Sequence, residues 1–245
     1  MRIHPPKPLL RLTGRAILDY DMIRAGDRVL VAVSGGKDSL ALLHVLLHLK
    51  AKSPVPFTLA AATVDPGIEG FDPTPLIPYM ATLGVRYLCE RQAIAERART
   101  TLGNDSFCSY CARMRRGTLY RLAREADCNI LALAQHLDDV AESFLMSAFH
   151  AGTLRTMRAH YQITAGDLRV IRPFVYVRER QLRDFAQKAE LPVIADNCPA
   201  CFRKPTERAA MKTLLAAEEA RHRGLFRNLL QAMRPLLAAE AEPRG

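Results

Sequence analysis

RVLVAVSGGKDSL, residues Arg28–Leu40, decides the fold. Arg28–Ser34 is an apolar, β-branched run and reads as a buried strand. Gly35 and Gly36 let the backbone turn tightly and approach a ligand closely. Lys37–Lys50 then places Leu40, Leu43 and Leu47 at helical spacing. A strand, a glycine turn and a helix in that order present backbone amides and a helix N-terminus to an anion. Ser34 and Ser39 add hydroxyl donors, and Lys37 can neutralise phosphate charge. Asp38 beside a phosphate site fits a holder of Mg²⁺. The glycines are adjacent, so this is not the loop in which four residues separate Gly from Gly-Lys-Ser/Thr. An ordinary glycine turn is the plainer reading, and the coincidence of strand, glycines, serines and helix argues against it.

Working outward, strands and helices alternate. Phe57–Asp65 reads as a second strand, Pro73–Leu83 as a helix kinked at Pro78, and Val85–Cys89 as a short third strand. Ser109–Glu125 reads as a long helix, Asn129–Ala134 as a fourth strand, Leu137–Phe149 as a helix and Val170–Pro173 as a fifth strand. From Arg178 the pattern is mostly helical, with a break near Pro192–Pro205. The expected fold class is α/β: a parallel sheet covered on both faces, with a helical C-terminal part. The boundaries expected are a helical segment over 1–25, an α/β domain over 26–175 and a helical region over 176–245.

Ligands of such sheets bind at the carboxyl ends of the strands. Those ends are Ser34, Asp65 and Gln135-His136. Asp65 could hold Mg²⁺ or orient a reacting oxygen, although an Asp opening a Pro-Gly turn is also common structure. Asp138 and Asp139 read, on their own, as partners of a helix dipole.

Among the 245 residues, Lys+Arg number 35 and Asp+Glu 25, a net charge of +10, and 28 of the 35 cations are Arg. Such a balance suits a polyanionic partner, most simply nucleic acid, or reflects nothing more than arginine usage. Arg113, Arg115, Arg116, Arg121 and Arg124 crowd one helix, and Arg155, Arg158, Arg172, Arg178, Arg180 and Arg183 follow. As a set they suit RNA phosphate, whereas any one of them suits a solvated face. The 49% hydrophobic content excludes a disordered chain. No apolar run is long enough for a membrane span, and no secretory leader is seen, so a cytoplasmic protein is expected.

Cys108-Ser109-Tyr110-Cys111 and Cys198-Pro199-Ala200-Cys201 are two Cys-x-x-Cys pairs, 86 residues apart. Paired cysteines in such a chain argue for metal or redox chemistry. The residues alone leave open a Cys₄ zinc site, a [4Fe–4S] cluster on three thiolates, and a redox disulfide. Cys89 and Cys128 read as core residues.

The segment Ser34-Gly35-Gly36-Lys37-Asp38-Ser39 resembles the signature of the PP-loop ATP pyrophosphatases, an adenine nucleotide alpha hydrolase-like fold. Cys108-Ser109-Tyr110-Cys111-Ala112-Arg113-Met114-Arg115-Arg116-Gly117 resembles, more specifically, the tRNA 2-thiocytidine synthetase family within that superfamily. Asp21-Met22-Ile23, Leu83-Gly84-Val85, Gly152, Ile171-Arg172-Pro173 and the later Cys-x-x-Cys extend the similarity over about residues 10–237. Three sites differ from the family's pattern: Ala134-Gln135-His136 replaces Gly-His-His, Phe202-Arg203-Lys204 replaces Gly-Ser-Gln, and the C-terminus is shorter.

The resemblance implies ATP and Mg²⁺, with Ser34, Gly35, Gly36, Lys37, Asp38, Ser39, His136 and Asp139 around the nucleotide and Asp38 and Asp65 as catalytic residues. It implies a [4Fe–4S] cluster held by Cys108, Cys111 and Cys201, whose open iron carries the sulfide, so that Cys201 also counts as catalytic. Cys198 is then a neighbour or a transient sulfur carrier. The implied reaction is adenylation of the C2 oxygen of a pyrimidine, best matched by cytidine 32 of tRNA, and its replacement by sulfur. The implied partners are tRNA and a sulfur donor such as a cysteine desulfurase, with a homodimer as candidate assembly and no membrane. Two other readings stand beside it: a PP-loop tRNA ligase with an amine nucleophile, and a zinc-stabilised RNA-binding module.

Overall fold

A computed structural model describes residues 3–101, 107–194 and 206–238, the side chains of 99–101, 107 and 108 apart. Helix α1 (Lys7–Asp19) leads into strand β1 (Arg28–Ala32), and α2 (Lys37–Lys52) follows the glycine turn. Then come β2 (Thr58–Asp65), α3 (Leu76–Thr82), β3 (Arg86–Arg91), α4 (Ile94–Thr101) and α5 (Phe107–Glu125). The second half runs β4 (Ile130–Ala132), α6 (Leu137–Ala151), β5 (His160–Gln162), β6 (Arg169–Ile171) and α7 (Glu179–Lys188). Helices α8 (Glu207–Arg221) and α9 (Leu225–Ala238) close the described chain.

The six strands lie in the order β3-β2-β1-β4-β6-β5. All pairs are parallel except β5 with β6, which is antiparallel. Alternating side chains of β1 feed two cores. Val29 and Val31 join Leu40, Leu43 and Val140 on the face that carries α2, α6 and α7. Leu30 joins Ala60, Ala62, Leu122 and Leu131 on the face that carries α4 and α5. The strand order reverses between β1 and β4, and a crevice opens at such a reversal beyond the strands' carboxyl ends.

The alternating pattern expected from the sequence is present, with differences. Pro73 precedes α3, and Pro78 is its third residue, where a missing N–H costs the helix nothing, so no kink is needed. Strand β5 and helix α4 lie outside the expected elements. Both are short, and His160–Gln162 has too few apolar residues to signal a strand. Cys128 is buried, as expected, but Cys89 is exposed because β3 is the outermost strand. Among the described residues, no helix is long and apolar enough to cross a membrane.

Candidate active site

The site is built on the turn from β1 into α2. Gly35 has φ +86°, a left-handed conformation that favours glycine. A Cβ there would also meet Ile194 at 3.0 Å, and Ile194 N donates to Gly35 O at 2.9 Å. The two serines brace the turn. Ser34 N donates to Ser39 Oγ at 3.1 Å, the two hydroxyls lie 3.2 Å apart, and Ser39 Oγ donates to Gly36 O at 2.9 Å. Gly36 N donates to Ser34 Oγ at 3.4 Å, a long and readily exchanged bond.

Asp38 sits in the first turn of α2, where Lys37 Nζ donates to its Oδ2 at 3.0 Å. Its other oxygen, Oδ1, is buried and has no hydrogen-bond partner among the described residues. A buried acceptor without a partner is costly, and a cation or a ligand hydroxyl at that point would relieve the cost. Burial pushes the Asp38 carboxyl up, against the pull of Lys37 and His136. Burial works against Lys37 as well, but Asp38 and Glu179 hold its ammonium above the ordinary lysine range.

His136 caps α6. Asp139 N donates to His136 Nδ1 at 3.3 Å, and His136 N donates to Asp139 Oδ2 at 3.0 Å. Because Nδ1 accepts, the hydrogen-bond network places the proton of the neutral ring on Nε2. That nitrogen faces Asp38 Oδ2 at 3.9 Å. The structure therefore brings together Ser34–Ser39, His136 and Asp139. Asp65 lies at the end of β2, buried, with Oδ1 accepting from Gly67 N at 2.8 Å and Arg91 Nε 3.8 Å from Oδ2. It performs the turn role that the sequence also allowed, at the strand edge next to β1.

Cys108 and Cys111 fall in the first turns of α5, three residues apart and so on one helix face. Cys111 is buried against the α4–α5 core. As the returning arm of a crossover, α5 starts at the carboxyl edge of the sheet, the edge that carries the nucleotide loop. Cys198 and Cys201 lie outside the described residues. Among the described residues, no three His, Cys, Asp or Glu side chains cluster as a metal site.

Several site neighbours carry no sequence signal. Glu179 opens α7, accepts from Lys37 Nζ at 3.0 Å and from Lys212 Nζ at 2.6 Å, and its own N–H donates to Asp138 Oδ2 at 2.8 Å. Burial opposes ionisation of Glu179, yet bonds from Lys212 and Lys37 hold its carboxyl down to about 2. Glu142 is buried on α6, and burial with Asp139 beside it pushes its carboxyl up to about 7.

The arginine set divides. Arg172 is buried, donating to Gln135 Oε1 at 3.1 Å and Arg158 O at 2.6 Å. Arg178 is half-buried in an ion-pair cluster with Asp138 and Glu219. Arg124 pairs with Asp167 at 2.6 Å, and Arg121 pairs with Glu90 and Glu125. Arg172 and Arg178 are thus held in the interior and lost to the expected basic surface, while Arg121 and Arg124 remain on it, paired with carboxylates. Arg113 and Arg116 are exposed and Arg115 half-buried, and among the described residues none of the three has an acidic partner within 4.0 Å.

Residues 12–219 match the PP-loop domain family. A tRNA-cytidine(32) 2-sulfurtransferase of Geobacter sulfurreducens is 41% identical over 231 residues, covering 93% of this chain and 89% of the relative. The chain belongs to the tRNA-cytidine(32) 2-sulfurtransferase family of PP-loop proteins. A family member of that name from Anaeromyxobacter dehalogenans is 38% identical over 93% of this chain and 78% of its own. The fold of this PP-loop protein also matches a U34-tRNA thiolase of Methanococcus maripaludis, solved with its [4Fe–4S] cluster. The TM-score is 0.73 at 23% identity, over 94% of this chain and 78% of that one. An NH₃-dependent NAD synthetase of Campylobacter jejuni shares the fold more loosely, with TM-score 0.51 at 14% identity over 98% of both chains.

Proposed function

We propose that this chain is an ATP-dependent tRNA sulfurtransferase that converts cytidine 32 to 2-thiocytidine. The observation that carries the reading is the nucleotide loop: braced serines, a left-handed Gly35, and a buried Asp38 oxygen without a partner among the described residues. The family relationship over nine-tenths of the chain supplies the substrate class.

The residues present fit the groups the reaction needs. The amides and hydroxyls of Ser34–Ser39 would bind phosphate, Lys37 would neutralise it, and the free oxygen of Asp38 would take Mg²⁺. His136, with its proton on Nε2, would donate to a phosphoryl oxygen, while Asp139 keeps the ring in place. Asp65 would orient the reacting oxygen at the strand edge. That C2 oxygen attacks the α-phosphorus of ATP and pyrophosphate leaves; sulfur then takes the place of the activated oxygen as AMP departs. Two thiols three residues apart on α5, with Cys201 as third ligand, suit a [4Fe–4S] cluster, and such a cluster supplies an iron open to sulfide. The target base must leave its stack to reach the site. The work falls in the cytoplasm, where tRNA and a sulfur donor such as a cysteine desulfurase are found.

The test is mass spectrometry of tRNA nucleosides from a strain lacking the gene. Loss of 2-thiocytidine, restored by the wild-type gene and not by Cys201→Ser, is expected. Unchanged 2-thiocytidine overturns the assignment. Anaerobically purified protein should carry about one cluster per chain. Stoichiometric zinc in its place would favour the RNA-binding module. Cys198→Ser should keep iron that Cys201→Ser loses, and the reverse result would exchange their roles.

A further inference from the structure

Helix α8 sends two cations toward the nucleotide loop. Lys212 Nζ lies 2.6 Å from Glu179 Oε2, and the other oxygen of that carboxylate lies 3.0 Å from Lys37 Nζ. One carboxylate therefore bridges the loop lysine and a lysine of α8. One turn earlier, Arg208 lies 3.6 Å from Asp139 Oδ1 and 3.8 Å from Glu142 Oε2. Residues four apart share a helix face, so both cations leave α8 on the side that meets α6 and α7. Asp139 is the residue that fixes His136, and Lys37 is the loop cation. Both cations of α8 are thus one carboxylate removed from the phosphate-binding groups.

Both cations are accessible to an arriving ligand. The Arg208 pairs exceed hydrogen-bond distance, and the two side chains are 46% and 58% exposed. Lys212 already makes a 2.6 Å bond to Glu179, but a multiply charged phosphate offers it more negative charge and offers Arg208 the charge-assisted hydrogen bonds that its 3.6 and 3.8 Å pairs lack. Glu142, with its carboxyl pushed up to about 7, carries only part of a charge near neutrality and holds Arg208 the less. An arriving triphosphate brings more negative charge than Lys37 can balance while Asp38 stands beside it.

We propose that Arg208 and Lys212 bind the β- and γ-phosphates of ATP and the pyrophosphate released from it, exchanging their carboxylate partners for phosphate oxygens. The proposal rests on the nucleotide reading of Ser34–Ser39. Backbone phosphate of tRNA has the same chemistry, but the routes through Glu179 to Lys37 and through Asp139 to His136 favour the nucleotide.

The test is calorimetric titration of the full chain with ATP, AMP and pyrophosphate in Mg²⁺, and of tRNA without nucleotide. Arg208→Ala and Lys212→Ala should each lower ATP affinity by about 10-fold, and the double variant by about 100-fold. AMP and tRNA affinities should stay within about twofold of wild type, because neither ligand places a phosphate on these two cations. Arg208→Lys and Lys212→Arg, which keep charge and helix, should retain most of the ATP affinity. An unchanged ATP affinity in the double variant overturns the proposal, as does an equal loss for ATP and AMP, which would mark a general loosening of α8. Loss of tRNA binding with ATP unchanged would also overturn it. A wild-type chain that binds neither ATP nor AMP would overturn the nucleotide reading itself, a result distinct from all of these.

Discussion

At its carboxyl end α8 offers Glu219, which accepts from Arg178 Nη1 at 2.6 Å and Nη2 at 2.7 Å. Asp138 takes the remaining edge of that guanidinium at 3.0 and 3.1 Å, and the Phe226 ring lies 3.2 Å below it. At its amino end the same helix offers Arg208 and Lys212, whose side chains reach site carboxylates from solvent. The charges are alike and the surroundings differ. Arg178 and Asp138 have side chains only 13% and 12% exposed, so their bonds replace water that cannot return. Adjacent residues of α6 thus part company: Asp138 ties the start of α7 and, through Arg178, α8 to α6, and Asp139 stays with the site. A buried ion pair fixes a helix in place, and a solvent-accessible cation beside a site carboxylate is placed to meet a ligand.

Breaking the locked end should have the largest effect. Arg178→Ala leaves Asp138 and Glu219 without their cation and should cost about 3–5 kcal/mol in urea unfolding. That is a large fraction of the stability of a typical domain. A loss below about 1 kcal/mol, the range of exposed pairs, would erase the distinction between the two ends of α8.

A charge in the site itself should behave in the opposite way. Asp38→Ala should lower thiolation by about 10²–10³-fold, the range seen when one preorganised charged or polar group is removed. Iron content should stay at the wild-type level, because Asp38 is on α2 and the cysteine pair on α5. Removing a buried, partly unsatisfied carboxylate should leave stability equal or higher. A variant that thiolates at the normal rate would refute the role of Asp38 in activation.

Glu142 lies between these extremes, buried like Asp138 yet loosely paired like Asp139. Asp139, Asp138, Arg208 and Lys212 are the charges around it. Its carboxyl is raised from the ordinary 4.5 to about 7, so the folded chain holds this proton more tightly than the unfolded chain. Its contribution is therefore present at low pH and is lost as pH rises from about 4.5 to 7. Glu142→Gln keeps the shape and removes the titration. Urea unfolding at pH 5 and pH 8 should show a smaller difference in the variant than in wild type, and an equal difference would place the titration elsewhere.

What the sequence made legible follows from locality. Ser34–Ser39 and His136–Asp139 are contiguous, and their chemistry depends on a strand end or helix start that periodicity reveals. Leu30 and its alternating neighbours announce a strand buried on both faces. Glu179, Lys212 and Arg208 reach the site from far along the chain, on ordinary amphipathic helices whose docking no local pattern encodes. The same blindness misreads Arg172 and Arg178. The order of residues gives their charge and not the Gln135, Asp138 and Glu219 that absorb it. Edge strand β5 escapes because its three residues have no apolar alternation.

The smallest expected effect concerns the arginines that the structure leaves presented. Arg113, Arg115 and Arg116 lie on α5 within two turns of Cys111, and Arg121 and Arg124, farther along, are occupied by carboxylates. If the α5 arginines grip the tRNA backbone near the modified base, Arg115→Ala and Arg116→Ala should each weaken tRNA binding several-fold. Each should also reduce the slope of log affinity against log salt by about one, because every arginine–phosphate pair that is removed releases one fewer condensed cation. The two side chains are adjacent and point about 100° apart around the helix, so the variants need separate measurement. Arg116 is exposed, and Arg115 is half-buried. Arg116→Ala should therefore show the change in salt slope without a change in stability, while Arg115→Ala should show some of both. Arg124→Ala, which removes a cation already paired with Asp167, is the control and should leave the slope as it is. Should Arg124→Ala flatten the slope as much as Arg116→Ala, the split between occupied and presented arginines would fail, and the whole helix would have to be counted as one basic surface.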